Sequence, residues 1–322
     1  MAADDRRPVL ILDAMNVFIR AWSAYPQLNV DGEPVGGSVG FLKTLRKLVY
    51  ETQPRAVYVA FEGGGSQKRR AIYPEYKLGR RTERLNRFYG EDIPSTDENR
   101  HVQILSLLGF LKKLPVCQLY VSDCEGDDLV AYLCRVKFRD EPKVIASSDK
   151  DMYQLLDDKT RVYSLHKKTY VTSDDVFEEF RVTSEHFAIA KALVGDVSDN
   201  VPGVKGCGFK TVSTLFPLLG SASEVLLQDV IDYAASHVDE SKMFKKIIDH
   251  EADIKRNYRL MFLDGGMLSA QQAARVDAAI AAHEPTIDRV GLLKLLIDAG
   301  IHDFDTEWLV YVFNCIEGVK HK

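Results

Sequence analysis

Acidic residues stand where the apolar runs of this sequence end and where helices begin. The strand predicted at 8–14 carries Asp13 near its end, and the strand predicted at 56–62 ends on Glu62. Seven further acids occupy similar boundaries: Glu125, Asp127, Asp128, Asp149, Asp151, Asp196 and Asp199. An ionised carboxylate is very costly to bury without a partner. The fold must therefore bring cations to these acids, and oxygen-only ligation is typical of Mg²⁺ or Mn²⁺.

Strand-like and helix-like segments alternate through the first half of the chain. Strands are predicted at 8–14, 56–62, 116–122 and 143–148, followed by an edge hairpin at 161–172. Repeated βα units predict an α/β fold in which helices flank a mostly parallel central sheet. Helix faces are predicted from Val39, Leu42, Leu45, Leu48 and Val49, from Val102, Leu105, Leu108 and Leu111, and from Val290, Leu293, Leu296 and Ile297. Beyond about residue 174 the pattern is helical and predicts no further strand.

The acids are predicted to converge, because the carboxyl ends of parallel strands meet at one edge of a sheet. Asp13, Glu62 and Asp149 lie at such ends, and Glu125 begins the helix after another. Each later acid, taken singly, could be an ordinary helix cap or a helix-end turn. Their convergence favours a site for phosphoryl transfer, in which two metal ions about 4 Å apart act on one phosphodiester.

Positive charge is concentrated in one segment of a chain whose net charge is −5. Segment 68–87 holds eight basic side chains: Lys68, Arg69, Arg70, Lys77, Arg80, Arg81, Arg84 and Arg87. A local patch, and not the global sum, is what phosphates respond to, so a nucleic-acid partner stays open. A solvated charged helix is the alternative.

The cysteines and the hydropathy pattern predict an intracellular protein. The five cysteines are odd in number and form no CxxC pair, which favours reduced thiols and argues against a zinc site. No apolar run approaches the roughly 20 residues of a membrane span. The start of the sequence, MAADDRRPVL, lacks the apolar segment of a signal peptide.

A glycine-rich segment, NVPGVKGCGFKTVSTLF, precedes an amphipathic helix. Its three glycines and two lysines are Gly203, Lys205, Gly206, Gly208 and Lys210. Glycine permits positive φ and close approach of the backbone. Backbone N–H groups and lysines here suit the phosphates of a duplex that is held without base contacts. A plain turn between helices is the alternative.

Five ordered motifs carry a family resemblance: LILDAMN, the FE…R…YPEYK run at 61–77, EGDD at 125–128, SSDKDMYQL at 147–155 and GDVSDNVPGVKGCGFKT at 195–211. Together they resemble the 5′-nuclease superfamily. It includes flap endonucleases, the 5′–3′ exonuclease domain of bacterial DNA polymerase I and stand-alone phage enzymes such as the phage RNase H. The resemblance implies a PIN-like nuclease core at 1–180 with a helical arch at about 78–99. It also implies a helical DNA-binding region at 181–322 with a helix–three-turn–helix at about 196–216.

The resemblance also implies roles for single residues. The tighter metal site would comprise Asp13, Glu62, Glu125, Asp127 and Asp128. The second site would comprise Asp149, Asp151, Asp196 and Asp199, some of them acting through water. Lys77 and Arg80 would be catalytic, contacting the scissile phosphate at the foot of the arch. Tyr76 could stack on an unpaired base, or be a core tyrosine. Further DNA contacts are expected from Arg69, Arg81, Arg84 and the glycine-rich segment.

Three features depart from the family pattern. Glu62 stands where aspartate is usual, Gly126 stands where alanine is usual, and the arch segment is longer than in bacterial polymerase domains. The first two bear on the geometry of the metal site, because Glu62 is itself an expected ligand and Gly126 is adjacent to two others. The third bears on the choice among flaps, nicks, gaps and RNA primers.

The implied function is that of a monomeric, structure-specific 5′ nuclease, a flap endonuclease and 5′–3′ exonuclease. It would use two or more Mg²⁺ ions, with Mn²⁺ as a substitute. It would act in the cytoplasm of a bacterium or a phage-infected host, in association with the nucleoid. Its partner would be DNA with 5′ flaps, nicks or ends, or an RNA–DNA hybrid, during removal of primers and flaps in replication. One alternative is a DNA-junction binding protein without catalysis, which predicts missing carboxylates. Another is a metal-dependent phosphatase, which usually has a second aspartate at the position of Met15.

Overall fold

Strand β1, Val9–Asp13, lies at the centre of the main sheet, and all five of its residues are buried. The computed structural model describes residues 7–65, 67–79, 97–221 and 223–322. The other strands of this sheet are Ala56–Phe61 (β2), Cys117–Tyr120 (β3), Lys143–Ala146 (β4), Thr160–Ser164 (β5) and Thr169–Val171 (β6). Their order is β3-β2-β1-β4-β5-β6, and all neighbours are parallel except β5 and β6. A strand covered on both faces must be apolar throughout, which is why VLIL forms the centre.

The direction of strand addition reverses between β1 and β4. After β1 the chain adds β2 and β3 on one side, then returns to place β4 on the other. Asp13 is in register with Ala60 of β2, and Leu12 with Ala146 of β4. The carboxyl ends of the three strands are therefore level. Open α/β sheets bind ligands in the crevice beyond such a switch point.

Helices occupy most of the remaining described chain. The α-helices are Ala14–Ala24 (α1), Gly36–Thr52 (α2), Gln67–Ile72 (α3), Asp97–Leu111 (α4), Gly126–Tyr132 (α5), Ser173–Phe180 (α6), Phe187–Val194 (α7), Phe209–Leu215 (α8), Leu227–Ser236 (α9), Lys242–Asp249 (α10), Glu251–Met261 (α11), Ala270–Ala282 (α12), Arg289–Asp298 (α13) and Thr306–Val312 (α14). A π-helical turn, Leu133–Lys137, continues α5, and 3₁₀ helices cover Lys150–Leu155, Pro217–Gly220 and Phe313–Cys315.

Two hydrophobic clusters cover the two faces of the sheet. One contains Ile11 of β1 together with side chains of α5 to α12. The other contains Leu10 and Leu12 together with side chains of α1, α2, α4, α13 and α14. Helices beyond residue 181 therefore pack on both faces of the sheet. The domain boundary near residue 180 stays a prediction.

The predicted mostly parallel sheet and its edge hairpin are confirmed, but four short strands were not predicted. Gly195–Asp196 (β7) pairs antiparallel with Val201–Pro202 (β8), and Thr286–Ile287 (β9) pairs parallel with Lys320–His321 (β10). The expectation of no strand beyond residue 174 is therefore wrong. A strand of two residues is too short to produce a periodic hydrophobic pattern in the sequence.

Helix positions agree with the sequence pattern more closely than helix faces do. The face predicted for α2 is buried throughout. In α4, by contrast, Leu107 and Phe110 are buried, while Val102 and Leu105 are 56% and 68% exposed. In α13 the pattern placed Leu293 on the buried face, and the structure leaves it 44% exposed.

All five cysteines are free thiols, as predicted. Along the described parts of the chain, no helix combines the length and the apolar character needed to cross a membrane.

Gln103 of α4 is buried although it is polar, because its side-chain amide binds the start of α2. Helix α2 begins at Gly36 without a side-chain cap of its own, so its first N–H groups need another acceptor. Gln103 Oε1 accepts from the N–H groups of Gly37 at 2.7 Å and Ser38 at 3.2 Å. Its Nε2 donates to Asn99 Oδ1 at 2.7 Å. The amide thus caps one helix from another.

Replacing Gln103 by leucine should lower the free energy of unfolding by about 2 kcal/mol, because two buried N–H groups lose their acceptor. Urea denaturation monitored by circular dichroism measures this. Leu105→Ala on the same helix is the control, and its effect should stay within about 0.5 kcal/mol. Equal losses in the two variants would contradict the capping role.

Candidate active site

Asp13 is both the last residue of β1 and the N-cap of α1. Its Oδ1 accepts the N–H of Asn16 at 3.2 Å, and its Oδ2 accepts the hydroxyl of Ser147, just after β4, at 3.0 Å. Asn16 Oδ1 in turn accepts the N–H of Ser148 at 2.9 Å. One carboxylate therefore holds the ends of β1 and β4 together at the switch point.

Asp127 and Asp149 lie close enough to Asp13 to act on its charge. Burial raises the pKa of Asp13 to about 7; repulsion by Asp149 and Asp127 adds to this, while its hydrogen bonds oppose it. Burial also raises the pKa of Asp149. The start of α5 completes the enclosure, since a Cβ at Gly126 would lie 3.7 Å from Asp13 Oδ1, an ordinary contact. The sheet edge thus concentrates negative charge. The space at position 126 would also accept the alanine that is usual in the family.

Arg69 of α3 is 1% exposed and lies between two acids at the start of α5. Its Nη1 and Nη2 donate to Asp128 Oδ2 at 2.6 Å and Oδ1 at 2.7 Å, a bidentate pair. Nη1 also lies 3.2 Å from Glu125 Oε2. Nε donates to the carbonyl of Leu260 in α11 at 2.7 Å. Glu125 and Asp128 therefore share one helix face, as their spacing predicted.

Three donors converge on a single oxygen of Glu125. Its Oε2 lies 3.2 Å from Arg69 Nη1, 2.9 Å from Lys77 Nζ and 3.0 Å from the Tyr76 hydroxyl. Its Oε1 is buried and has no hydrogen-bond partner among the described residues. Buried carboxylate oxygens ordinarily have partners, so Oε1 is an acceptor to which a cation could bind. Burial lowers the pKa of Lys77, but Glu125 and its acidic neighbours outweigh burial and raise it.

Residues 75–77 pack on the loop that carries Asp199. The Tyr76 hydroxyl, which has one proton, lies between Glu125 Oε2 and Asp199 Oδ2, at 3.1 Å from the latter. The N–H of Lys77 donates to the carbonyl of Asp199 at 2.8 Å. Asn200 Nδ2 donates to the carbonyl of Glu75 at 2.8 Å. Lys77 has a left-handed φ of 56°, and these bonds hold the backbone in that conformation. Lys77 is thereby positioned through its backbone by the loop at 199–200 and through its side chain by Glu125.

Lys191 of α7 joins two further acids of the set, Asp151 and Asp196. Its Nζ donates to Asp151 Oδ1 and, at 2.6 Å, to Asp196 Oδ2. Burial raises the pKa of Asp151 to about 7, although Lys191 opposes this. For Asp196, Lys191 and further hydrogen bonds outweigh burial and lower the pKa. This second group of carboxylates thus contains its own cation.

Gly203 is required by packing. A Cβ there would lie 2.0 Å from the carbonyl oxygen of Val194 and 2.6 Å from the nitrogen of Gly195. Gly195 itself has a φ of 81°. The glycine therefore lets the loop close against the end of α7, which is a structural role that the sequence pattern did not reveal.

The rest of the loop forms an exposed surface between α7 and α8. Gly206 has a φ of 90°, which only glycine adopts easily. A Cβ at Gly208 would meet no atom within 4 Å. Lys205 and Lys210 are exposed. Helices α7 and α8 flank this loop. The helix–three-turn–helix at about 196–216 and DNA contact by these residues stay predictions.

Two expected DNA contacts are contradicted by burial. Arg69 is enclosed by acids, and Tyr76 is 4% exposed with its hydroxyl bound to Glu125 and Asp199. Neither side chain offers a free surface to a nucleic acid, so Arg69 is structural and Tyr76 is a core residue. Glu62 directly follows β2 and is exposed, and its role as a metal ligand stays a prediction.

Arg80, Arg81 and Arg84 lie outside the described residues, as does most of the predicted arch. Their expected roles stay predictions.

The sequence interpretation missed Asn16, Ser147 and Lys191. A lysine within the apolar run AIAKALV was a usable signal, because a charge there must be buried with partners. Asn16 and Ser147 gave no such signal, since their roles depend on the register between β1 and β4.

Hard divalent cations fit the donor chemistry of this edge. In the described ranges, no three acidic, histidine or cysteine side chains are already arranged around one point to hold a metal ion. Arg69, Lys77 and Lys191 hold several of the acids instead. The available ligands are all oxygens, and the buried Oε1 of Glu125 receives no hydrogen bond from the described residues. Those are the properties that Mg²⁺ and Mn²⁺ require.

A mostly parallel sheet with acids gathered at its switch point is the architecture of an α/β nuclease. The chain belongs to the 5′–3′ exonuclease family, since residues 8–181 match the family model for the 5′-3′ exonuclease, N-terminal resolvase-like domain.

Relatives and solved structures agree with this assignment. A 5′-3′ exonuclease of Aquifex aeolicus is 31% identical over 68% of this chain and 72% of its own length. The thermostable DNA polymerase I of Thermus aquaticus is 33% identical over 78% of this chain, which spans only 28% of that polymerase. The bacteriophage T5 flap endonuclease, solved with DNA and metal ions, shares the fold with a TM-score of 0.64 at 20% identity, over 96% of this chain and all of that one. The catalytic core of Rad2 with DNA gives 0.53 at 16% identity, over 96% and 91%.

Arg69→Met should lower the free energy of unfolding by about 3–5 kcal/mol, because it leaves Asp128 buried without its cation and leaves Glu125 with Lys77 as its only cation among the described residues. Denaturant unfolding of the metal-free protein measures the loss. Arg70→Met is the matched control, since Arg70 is adjacent and exposed and should change stability by no more than about 0.5 kcal/mol. Normal stability with weakened DNA binding in Arg69→Met would restore the DNA-contact role.

Proposed function

We propose that this chain is a structure-specific 5′ nuclease that hydrolyses phosphodiesters near junctions of single-stranded and duplex DNA. The observation that carries the proposal is the convergence of acids at the β1–β4 switch point, beside the positioned ammonium of Lys77. The 5′-3′ exonucleases among the relatives support nuclease activity. The polymerases support it for the part of their length that this chain spans.

Divalent cations, Mg²⁺ with Mn²⁺ as a substitute, are proposed to bind at the acidic edge. Asp13, Glu62, Glu125, Asp127 and Asp128 would hold the tighter ion; Asp149, Asp151, Asp196 and Asp199 would lie at or near the second. Such ions supply an activated water and stabilise the charge on the leaving oxygen. The unpartnered Oε1 of Glu125 supports this assignment, because it is an acceptor already desolvated by the fold.

Lys77 is proposed to hold an oxygen of the scissile phosphate. Its side chain is 19% exposed, at the border between the buried acids and the surface. Its backbone is bound to Asp199, so the ammonium begins from a defined position. If the Lys77 ammonium moves from Glu125 to a phosphate oxygen, it exchanges one anionic hydrogen-bond acceptor for another. Preorganised cations of this kind stabilise charge that develops during phosphoryl transfer. Arg80 is proposed to act beside it.

The exposed loop with Lys205 and Lys210 is proposed to bind the duplex part of the substrate. Its lysines and accessible backbone would contact phosphates independently of sequence. The other part of the substrate would be a 5′ flap, nick or end, or the RNA strand of a hybrid, bound by one copy of the chain. Removal of primers and flaps in replication is the corresponding biological role.

The deciding experiment uses a flap duplex labelled at the 5′ end of its flap, incubated with Mg²⁺ or with EDTA. Release of a short labelled oligonucleotide with Mg²⁺ alone is the expected result. Mononucleotide release alone would indicate an exonuclease without flap endonuclease activity. Tight binding without product in Mg²⁺ or Mn²⁺ would contradict the proposal and favour a DNA-junction binding protein.

Asp13→Asn should slow single-turnover cleavage about a thousandfold, equivalent to ~4 kcal/mol of lost transition-state stabilisation. The amide removes a ligand charge but can still cap α1. Binding to the same flap DNA in Ca²⁺ should change by less than about threefold, because the phosphate contacts are elsewhere. A near-normal rate would remove Asp13 from the metal site.

Lys77→Met should slow cleavage at saturating enzyme about a hundredfold, since one cation at the phosphate is lost. The methionine preserves the length and the packing of the side chain. Lys68→Met, on exposed Lys68 of α3, is the control and should cleave normally. An unchanged single-turnover rate with weakened binding would make Lys77 a binding residue only.

A further inference from the structure

Lys191 is a buried ammonium that lies among the acids proposed to face the second cation. Its side chain is 8% exposed, and those of its partners Asp151 and Asp196 are 10% and 18% exposed. Asp151 comes from the 3₁₀ helix after β4, and Asp196 from β7. The lysine therefore joins two segments whose like charges would otherwise repel each other.

The oxygens that Lys191 holds are those that a shared ion would need. Asp196 Oδ1 accepts three hydrogen bonds. Two come from Ser198, from its N–H at 2.8 Å and from its hydroxyl at 2.6 Å, and the third comes from the N–H of Asp199 at 3.2 Å. Only Oδ2 of Asp196 points at Lys191, 2.6 Å from Nζ. A divalent ion bound by both Asp151 and Asp196 would have to take the place of the ammonium.

The structure also contains space into which Lys191 can move. A cavity of about 450 Å³ adjoins the ammonium and is lined by Asp149, Asp196, Phe187 and Phe209, among others. Phe187 and Phe209 stack with ring centroids 5.2 Å apart and form an apolar part of this lining. Asp149 lies close enough to Lys191 for the ammonium to oppose the rise in the pKa of that carboxyl. Lys191 therefore has open space beside it into which its side chain could move when it leaves Asp151 and Asp196.

We propose that Lys191 is a displaceable resident cation of the second carboxylate group. In the metal-free protein it holds Asp151 and Asp196 together, and it must leave before a divalent ion binds between them. The proposal rests on the proposed function for the identity of that ion, but not on catalysis. Its consequence is that the second ion binds more weakly than the first, because it must compete with a buried ion pair.

The experiment is a titration of the metal-free protein with Mn²⁺, followed by electron paramagnetic resonance and calorimetry. The wild-type chain should show a tighter and a weaker class of site. Lys191→Met should tighten the weaker class roughly tenfold or more and leave the tighter class within about threefold. Lys167→Met is the matched control: Lys167 is also ion-paired, to Glu179 at 2.7 Å, but lies 48% exposed and away from the acids. Its Mn²⁺ affinities should equal those of the wild type.

A second measurement on the unmodified sequence covers the case in which Lys191→Met fails to fold. Reductive methylation followed by mass spectrometry reports the accessibility of each ammonium. Lys191 should react slowly in EDTA and severalfold faster in saturating Mn²⁺, while the rate for Lys167 stays constant. Substrate is absent, so the result does not depend on cleavage.

The outcomes separate this inference from the proposed function. The displacement would be overturned if the weaker class of Mn²⁺ site had the same affinity in Lys191→Met as in the wild type. It would also be overturned if the methylation rate of Lys191 were the same with and without Mn²⁺. Loss of Mn²⁺ binding in Lys191→Met would also overturn it, because the lysine would then be supporting the site. A wild-type chain that binds Mn²⁺ but cuts no DNA would refute the nuclease and leave the displacement intact. A wild-type chain that binds no Mn²⁺ would refute both.

Discussion

The buried guanidinium of Arg69 is the interaction on which the rest of the acidic edge depends. It binds both oxygens of Asp128, approaches Glu125 and donates to the carbonyl of Leu260. It thereby connects α3, α5 and α11 through one charge. Buried carboxylates without such a partner would oppose folding by several kcal/mol. Once Arg69 is in place, Glu125 is fixed, with Oε2 toward Lys77 and Tyr76. Its Oε1 has no donor in the part of the chain that the structure describes.

The acids of the site differ in how their charge is compensated, and the differences follow from the chemistry of the cations. Arg69 makes a bidentate pair that geometry locks in place, whereas Lys191 is a point charge on a flexible stem. Among the described residues Asp13 has no such cation, and its hydrogen bonds only partly offset the effect of burial and of its acidic neighbours on its pKa. The edge therefore runs from the bidentate pair of Asp128, through Asp13, to the group held by Lys191, whose cation is proposed to be exchangeable. This is an arrangement in which divalent ions have a reason to bind.

The helices beyond residue 181 contribute to the site although they carry few of its functional groups. Asn257 of α11 donates to the carbonyl of Ala192 at 3.1 Å and to that of Pro202 at 2.8 Å, which joins α7 to β8. Gln154, in the 3₁₀ helix that carries Asp151, donates to the carbonyl of Met261 at 3.0 Å and accepts the N–H of Leu263 at 2.8 Å. Two acid-bearing segments are thus held by the same helix. The scaffold of the site extends well past the segment that matches the family model.

The sequence by itself determined the sheet, the convergence of the acids and the family. Buried parallel strands must be apolar throughout, and their ends are level, so Asp13, Glu62 and Asp149 could be assigned to one edge without coordinates. Only the tertiary structure decided which cations meet those acids. The basic segment predicted Arg69 as a DNA contact, and Lys191 stood unnoticed in an apolar run, because the pairing of charges depends on distances between segments far apart in sequence. The same reason governs burial: periodicity placed α4 and α13, but the neighbours that cover a helix decide which of its faces is inside.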